Sequence, residues 1–153
     1  MILIDTNVIL RVEQENNVQY DEARNAIAVI FRNPKLRGVI VPQVMNEYWS
    51  VCTRPATSRG GFGWTTEVTA QRLSAWEKAY DVLRDQPETY EHWKSLVTKY
   101  DVKGKNAHDA RLVAAMLVHS LTHILTFNIE DFKRFQEIIP IHPSQVDDKF
   151  RLT

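Results

Sequence analysis

Met1-Ile-Leu-Ile-Asp-Thr-Asn7 opens the chain. Ile2 to Ile4 form a continuous apolar run, short enough for a strand covered on both faces. Asp5, Thr6 and Asn7 follow with the polar residues of a helix start. The reading is a buried strand that delivers a carboxylate to the carboxyl edge of a sheet. In open parallel sheets that edge is where ligands bind. A plainer role for Asp5 is to cap the next helix, and only the other acids of the chain separate the two.

Outward from that stretch, apolar residues alternate between two patterns. Helical spacing predicts helices over Tyr20–Phe31, Gln43–Thr53, Thr66–Glu77, Glu88–Tyr100 and Ala107–Leu121, with a short one over Ile129–Phe135. Val8–Val12 is a short apolar piece, and Glu13–Asn17 reads as a turn. Compact apolar runs bounded by Pro or polar residues predict strands at Gly38–Val41, Tyr80–Leu83, His123–Thr126 and Ile138–Ile141. Pro140 restricts the last of these to a sheet edge. Asn106 and Asn128 stand where caps of the following helices belong. Strands alternating with helices give an α/β fold with a mainly parallel sheet. The segment from Pro143 is expected to be loosely ordered.

Composition narrows the class. At 153 residues the chain suits one domain, and a hydrophobic share of 44% is ordinary for a globular protein. A formal net charge of +0 argues against gripping nucleic acid through a broad basic surface. The lone Cys52 cannot form an internal disulfide, which fits a reducing cytoplasm. No basic leader precedes a long apolar run, and no segment has the length and apolarity of a membrane span. Neither a GxxxxGK[ST] phosphate loop nor a GxGxxG fingerprint is present. A phospho-acceptor module would need paired acids after the first strand, and only Asp5 stands there.

Three further acids match Asp5. Glu47 lies three residues after Val44 and four before Val51, on an apolar helix face. Asp109 precedes Leu112, Val113, Met116 and Leu117 by three, four, seven and eight residues, so it also faces inward. Asp131 falls in the first turn of the helix after the fourth strand. An ionised carboxylate facing a core costs several kcal/mol unless it is paired or binds a metal. A salt bridge is the ordinary reading of Glu47, and a favourable first-turn acid that of Asp109. Taken together, the acids share one sheet edge, where their repulsion calls for a cation. All-oxygen ligation suits Mg²⁺ or Mn²⁺ rather than zinc, and such sites do phosphoryl chemistry, the metal activating water and stabilising the oxyanions. Thr57–Trp64 is rich in glycine and predicts a mobile loop, with Arg54, Arg59, Phe62 and Trp64 available to single-stranded nucleic acid or, equally, packed on the core.

These residues carry a resemblance. Leu3-Ile-Asp5-Thr6-Asn7, Glu47, His108-Asp109-Ala110 and Leu125-Thr126-Phe-Asn128-Ile-Glu-Asp131-Phe132, with Thr53-Arg-Pro55, Gly60-Gly-Phe-Gly63 and Lys103-Gly104-Lys105 between them, resemble PIN-domain proteins of the VapC-type toxin ribonuclease group. The resemblance implies a PIN-like nuclease domain over residues 1–142, a tail over 143–153, and strand order 3-2-1-4-5. It implies a metal-dependent endoribonuclease, the toxin of a toxin–antitoxin pair, with Asp5, Glu47, Asp109 and Asp131 as catalytic acids. Asp5 and Asp109 would be the principal ligands of Mg²⁺ or Mn²⁺. Thr6, Asn7, Thr126 and Asn128 would shape the site, and Arg59, Lys103 and Lys105 would contact RNA. A cognate antitoxin, a homodimer and a cytoplasmic location are further implications. The alternative is a PIN-like module without catalysis that binds RNA or protein.

Overall fold

The computed structural model describes residues 1–153. Its strands are β1 (Ile2–Ile4), β2 (Gly38–Ile40), β3 (Asp81–Val82), β4 (His123–Leu125) and β5 (Ile139–Ile141). Its helices are α1 (Thr6–Val12), α2 (Tyr20–Arg32), α3 (Pro42–Thr53), α4 (Thr66–Ala79), α5 (Thr89–Lys99), α6 (Asn106–Val118) and α7 (Ile129–Phe132). The strands form one sheet in the order β3-β2-β1-β4-β5, and every pairing is parallel. The α/β class and the strand order agree with the sequence reading. Pro140 sits in edge strand β5, where its missing N–H leaves no gap in a central ladder.

β1 is the pivot. Ile2, Leu3 and Ile4 have no exposed surface because helices cover both faces of the sheet. From β1 the chain builds outward through β2 and β3 on one side, and through β4 and β5 on the other. Where the winding reverses, loops at the strands' carboxyl ends diverge and leave a crevice. Asp5 is the first residue beyond that end of β1.

The core extends from the sheet into α2 through Ala23, Ala26 and Ile30, into α3 through Val44 and Tyr48, and into α6 through Val113, Ala114 and Met116. A fully buried Ile or Leu contributes about 1.5–3 kcal/mol, so β1 and α6 fix the frame on which the acids stand. No helix is long and apolar enough to cross a membrane.

Several ends depart from expectation. α6 stops at Val118 rather than Leu121 because Ser120 takes a positive φ of 54°. The Ser120 N–H then donates to Leu117 and the Leu121 N–H to Met116, the two bonds of a Schellman stop. α5 ends the same way, with Asp101 at φ 46°. Glycine is the usual residue at such positions, so the α6 stop does not announce itself in the sequence, whereas α5 ends within one residue of the expected Tyr100. Asn106 is the first helical residue rather than the cap, and Asn128 occupies the cap position of α7 without a side-chain cap bond. α7 is also shorter than expected, ending at Phe132. The segment from Pro143 is built in, contrary to its expected loose order. Pro143–Gln145 is a 3-10 turn closed by the His142 ring and the Gln145 side chain, packed against α2 with Pro143 and Val146 buried.

Candidate active site

Asp5 is not a helix cap. It stands at the cap position of α1, yet its side chain makes no cap bond. Its Oδ2 accepts from the Asn7 amide at 2.7 Å and from the Thr126 hydroxyl at 2.6 Å. Asn7 Nδ2 also donates to Thr126 Oγ1 at 3.0 Å, and Asn7 Oδ1 accepts from the Phe127 N–H at 3.1 Å. Side chains from the ends of β1 and β4 are thus laced into one unit. Thr126 Oγ1 further accepts from the Asn128 N–H at 3.0 Å, which turns the chain into α7.

Glu47 is held from two sides. Thr6 Oγ1 donates to its Oε2 at 2.8 Å, and Gln43 Nε2 donates to its Oε1 at 3.0 Å. Gln43 lies one turn earlier on α3, so the i, i+4 spacing places the amide beside the carboxylate. The same Gln43 Nε2 reaches the His108 carbonyl at 2.9 Å, tying α3 to the start of α6. Asp109 follows His108 there, half-buried in the first turn of α6.

The acids lie near enough to act on one another's charge. Burial pushes the Asp5 carboxyl up from its ordinary 3.8 to about 7; the Thr126 hydroxyl opposes the rise, and the charges of Glu47 and Asp109 add to it. Asp109 is raised from 3.8 to about 6, first by burial and then by the charges of Asp131 and Glu47, with Arg134 and His108 opposing. None of the four acids is paired with a Lys, Arg or His in a salt bridge. The salt bridge that was the ordinary reading of Glu47 is therefore absent.

A cleft of about 310 Å³ opens over these groups, lined by Asp5, Thr6, Asn7, Glu47, Asp109 and Asn128 and, further along α1 and α3, by Leu10, Ser50, Val51 and Arg54. Asp131 does not line it and acts on it through the charge it places near Asp109. Asn128 lines the cleft, but its side chain bonds to none of the acids; its backbone N–H donates to Thr126 and its carbonyl accepts from the Asp131 N–H at 3.1 Å.

The donor set fits a hard divalent cation: it is all oxygen, partly buried, and short of positive charge. No three His, Cys, Asp or Glu side chains stand close enough to enclose an ion in advance. Mg²⁺ does not need such a cage, since it keeps several waters and binds through one or two carboxylates.

The expected RNA contacts are placed differently. Arg59, Lys103 and Lys105 are exposed and none lines the cleft. Lys103 pairs with Asp101 at 2.8 Å. The cation in the cleft is Arg54, whose Nη1 donates to the Arg59 carbonyl at 3.2 Å. The glycine-rich segment is tied down rather than loose. Phe62, Gly63 and Trp64 donate backbone N–H groups to Val51, Arg54 and Cys52, folding the loop back onto the end of α3. A Cβ at Gly61 would lie 2.5 Å from the carbonyl oxygens of both Arg54 and Pro55, so this return needs glycine. Phe62 and Trp64 meet edge to face at 5.1 Å and pack against the core. Sequence reasoning missed Gln43, Arg134 and the place of Arg54; only the i, i+4 spacing of Gln43 to Glu47 could have signalled the first.

Comparison with known proteins adds three findings. The family model for the PIN domain matches residues 2–138. Comparison with curated proteins finds no match. Among solved structures, a VapBC complex from nontypeable Haemophilus influenzae is similar at TM-score 0.69 and 16% identity, over 94% of this chain and 99% of that one. A VapBC complex from Rickettsia felis, bound to a DNA fragment from its promoter, is similar at 0.67 and 16%, over 93% and 98%. A Mycobacterium tuberculosis VapC toxin described as cleaving the sarcin-ricin loop is similar at 0.59 and 15%, over 81% and 87%. At these identities the likeness is one of fold.

Proposed function

The chain belongs to the PIN domain family, and from that premise we propose that it is a VapC-type endoribonuclease dependent on Mg²⁺ or Mn²⁺. The observation that carries this reading is the gathering of Asp5, Glu47 and Asp109 around one cleft at the sheet edge, with the charge of Asp131 acting on Asp109 and no salt bridge to any of the four. Asp5 and Asp109 would hold the cation. Once bound, it would neutralise phosphate charge and make a water more acidic.

The chain's own residues supply the rest. Asn7 and Thr126 fix the direction of the Asp5 carboxylate. Glu47, oriented by Thr6 and Gln43, accepts the proton of the attacking water. The water oxygen bonds to phosphorus, the bond to the 3′-oxygen breaks, and that oxygen takes up a proton. The products are a 5′-phosphate and a 3′-hydroxyl. Asp131 strengthens the negative field at Asp109. Arg54, in the cleft, takes the backbone-phosphate contact that the sequence assigns to Arg59. Lys103 and Lys105 stand further out, where they would steer RNA without touching the reacting group.

The same reading gives the protein a cognate antitoxin that covers this cleft, a homodimeric state and a cytoplasmic location. Complexes of similar fold are toxin–antitoxin pairs, which supports the first of these. Residues 1–142 would be the nuclease domain, with 143–153 as an appended segment. The test is cleavage of total cellular RNA by purified protein with Mn²⁺, with EDTA, and with Asp5→Asn. The reading expects cutting only in the first, with 5′-phosphate ends. Equal cutting by Asp5→Asn would remove Asp5 from the site. No cutting by the wild type, together with no growth arrest on expression, would favour the binding-only alternative.

A further inference from the structure

The N-terminal end of the apolar face of α5 is not closed over, whereas Leu96 is buried and Val97 packs on the core. Its sequence pattern places Tyr90 and Trp93 toward the core, yet Tyr90 is 59% exposed and Trp93 is half-buried. Their rings lie 5.8 Å apart at 34° and border a cleft of about 390 Å³. Asp85, Gln86, Pro87, Thr89 and Arg111 complete its lining. The cleft is separate from the acidic one, and no residue is shared between them.

The first turns of α6 join the two. The Ala107 carbonyl accepts from Trp93 Nε1 at 2.9 Å and fixes the indole. The next carbonyl, His108, accepts from Gln43. Asp109 then enters the acidic cluster, and Arg111 reaches the aromatic cleft. Arg111 Nη1 donates to Gln43 Oε1 and Nη2 to Asp85 Oδ2, both at 3.2 Å. A continuous chain therefore runs Asp85–Arg111–Gln43–Glu47, from the aromatic cleft to the acids.

We propose that this cleft is a nucleobase subsite for the RNA strand cut at the acidic site. This rests on the ribonuclease reading given above. Single-stranded RNA is gripped by stacking bases on aromatic rings or guanidinium planes and by hydrogen-bonding their edges. Tyr90 and Trp93 supply the stacking surface. Arg111 has five N–H donors and spends two on Gln43 and Asp85. Asp85 offers acceptors, and the Gln86 amide offers both donors and an acceptor. The start of α6 contributes Asp109 to the acidic cleft and Arg111 to the aromatic one, so a strand lying across this helix would present a scissile phosphate to the first and a base to the second.

The test is fluorescence anisotropy of labelled hexaribonucleotides of U, A, C and G, in EDTA to prevent cutting, with wild type and Tyr90→Ala. Tyr90 is exposed, so the variant folds; its circular dichroism and sedimentation are recorded beside the binding. The expected result is tighter wild-type binding of some bases than others, and a loss of roughly 5- to 150-fold with a flattened ranking in Tyr90→Ala. Wild-type affinity for all four oligomers in Tyr90→Ala overturns the subsite while leaving the ribonuclease reading intact. The same affinity with an altered oligomeric state also overturns it and assigns the cleft to a contact between copies. Wild type that neither binds nor cuts RNA overturns both readings.

Discussion

Replacing Asp109 by Asn should stabilise the metal-free protein, and the effect should depend on pH. The Asp109 carboxylate enters no salt bridge and has no side-chain hydrogen-bond partner, so the isosteric amide forfeits little. The carboxyl is raised from 3.8 to about 6, chiefly by burial and then by Asp131 and Glu47. At about 1.36 kcal/mol for each tenfold change in acidity, the rise corresponds to roughly 3 kcal/mol. The group is only half-buried, and solvent screening reduces this to about 1–2 kcal/mol. Because the folded pKa lies above the unfolded one, the native state takes up its proton first as the pH falls. The wild type recovers this stability between about pH 6 and pH 4. The variant's advantage is therefore full near pH 8 and gone near pH 4. For a chain of this size it amounts to roughly 2–8 °C in Tm. Thermal unfolding in EDTA at the two pH values, followed by circular dichroism, is the assay. A variant no more stable than wild type near pH 8, or equally advantaged at both pH values, would refute the idea that repulsion and burial strain this carboxylate.

Three other perturbations follow from the same geometry. Glu13 accepts from Tyr48 Oη and Trp76 Nε1, both at 2.9 Å, and pairs with Arg72 at 3.0 Å. Glu13→Ala leaves the buried Tyr48 hydroxyl without a partner and should cost about 1–3 kcal/mol in urea unfolding; an unchanged midpoint would mean α4 does not depend on this hub. Gly61→Ala forces the loop away from the Arg54 and Pro55 carbonyls and should cost about 1–3 kcal/mol, also seen as a lowered urea midpoint. Gln43→Leu removes a donor from Glu47 and from the His108 carbonyl, and should weaken Mn²⁺ binding roughly 10- to 100-fold by calorimetry; unaltered affinity would make Gln43 a packing residue only.

How far the sequence carried depended on the kind of signal. β1 and Asp5 were legible because a strand buried on both faces must be apolar throughout, and the first polar residue marks its end. Glu47 and Asp109 were legible as acids on apolar helix faces. The bonds that tie Thr126 to Asp5 and Asn7 join residues more than a hundred positions apart, and no local pattern encodes that. The helix stop at Ser120 was hidden because a non-glycine residue holds a glycine's conformation. Thr57–Trp64 read as loose because glycines signal freedom, whereas here Gly61 permits a close approach. Lysines and Arg59 drew attention by charge, but Arg54 is the cation in the cleft, set there by the loop's return.

The central claim is that the carboxylates around Asp5 form a divalent-cation site. Its most direct test is Mn²⁺ binding, measured by calorimetry near pH 7.5, to wild type and to Asp5→Asn, Glu47→Gln, Asp109→Asn and Asp131→Asn. Wild type is expected to bind Mn²⁺ saturably, with binding lost in the Asp5 and Asp109 variants and weakened in the other two. Wild-type affinity in Asp5→Asn and Asp109→Asn would contradict it, whatever those variants did to RNA.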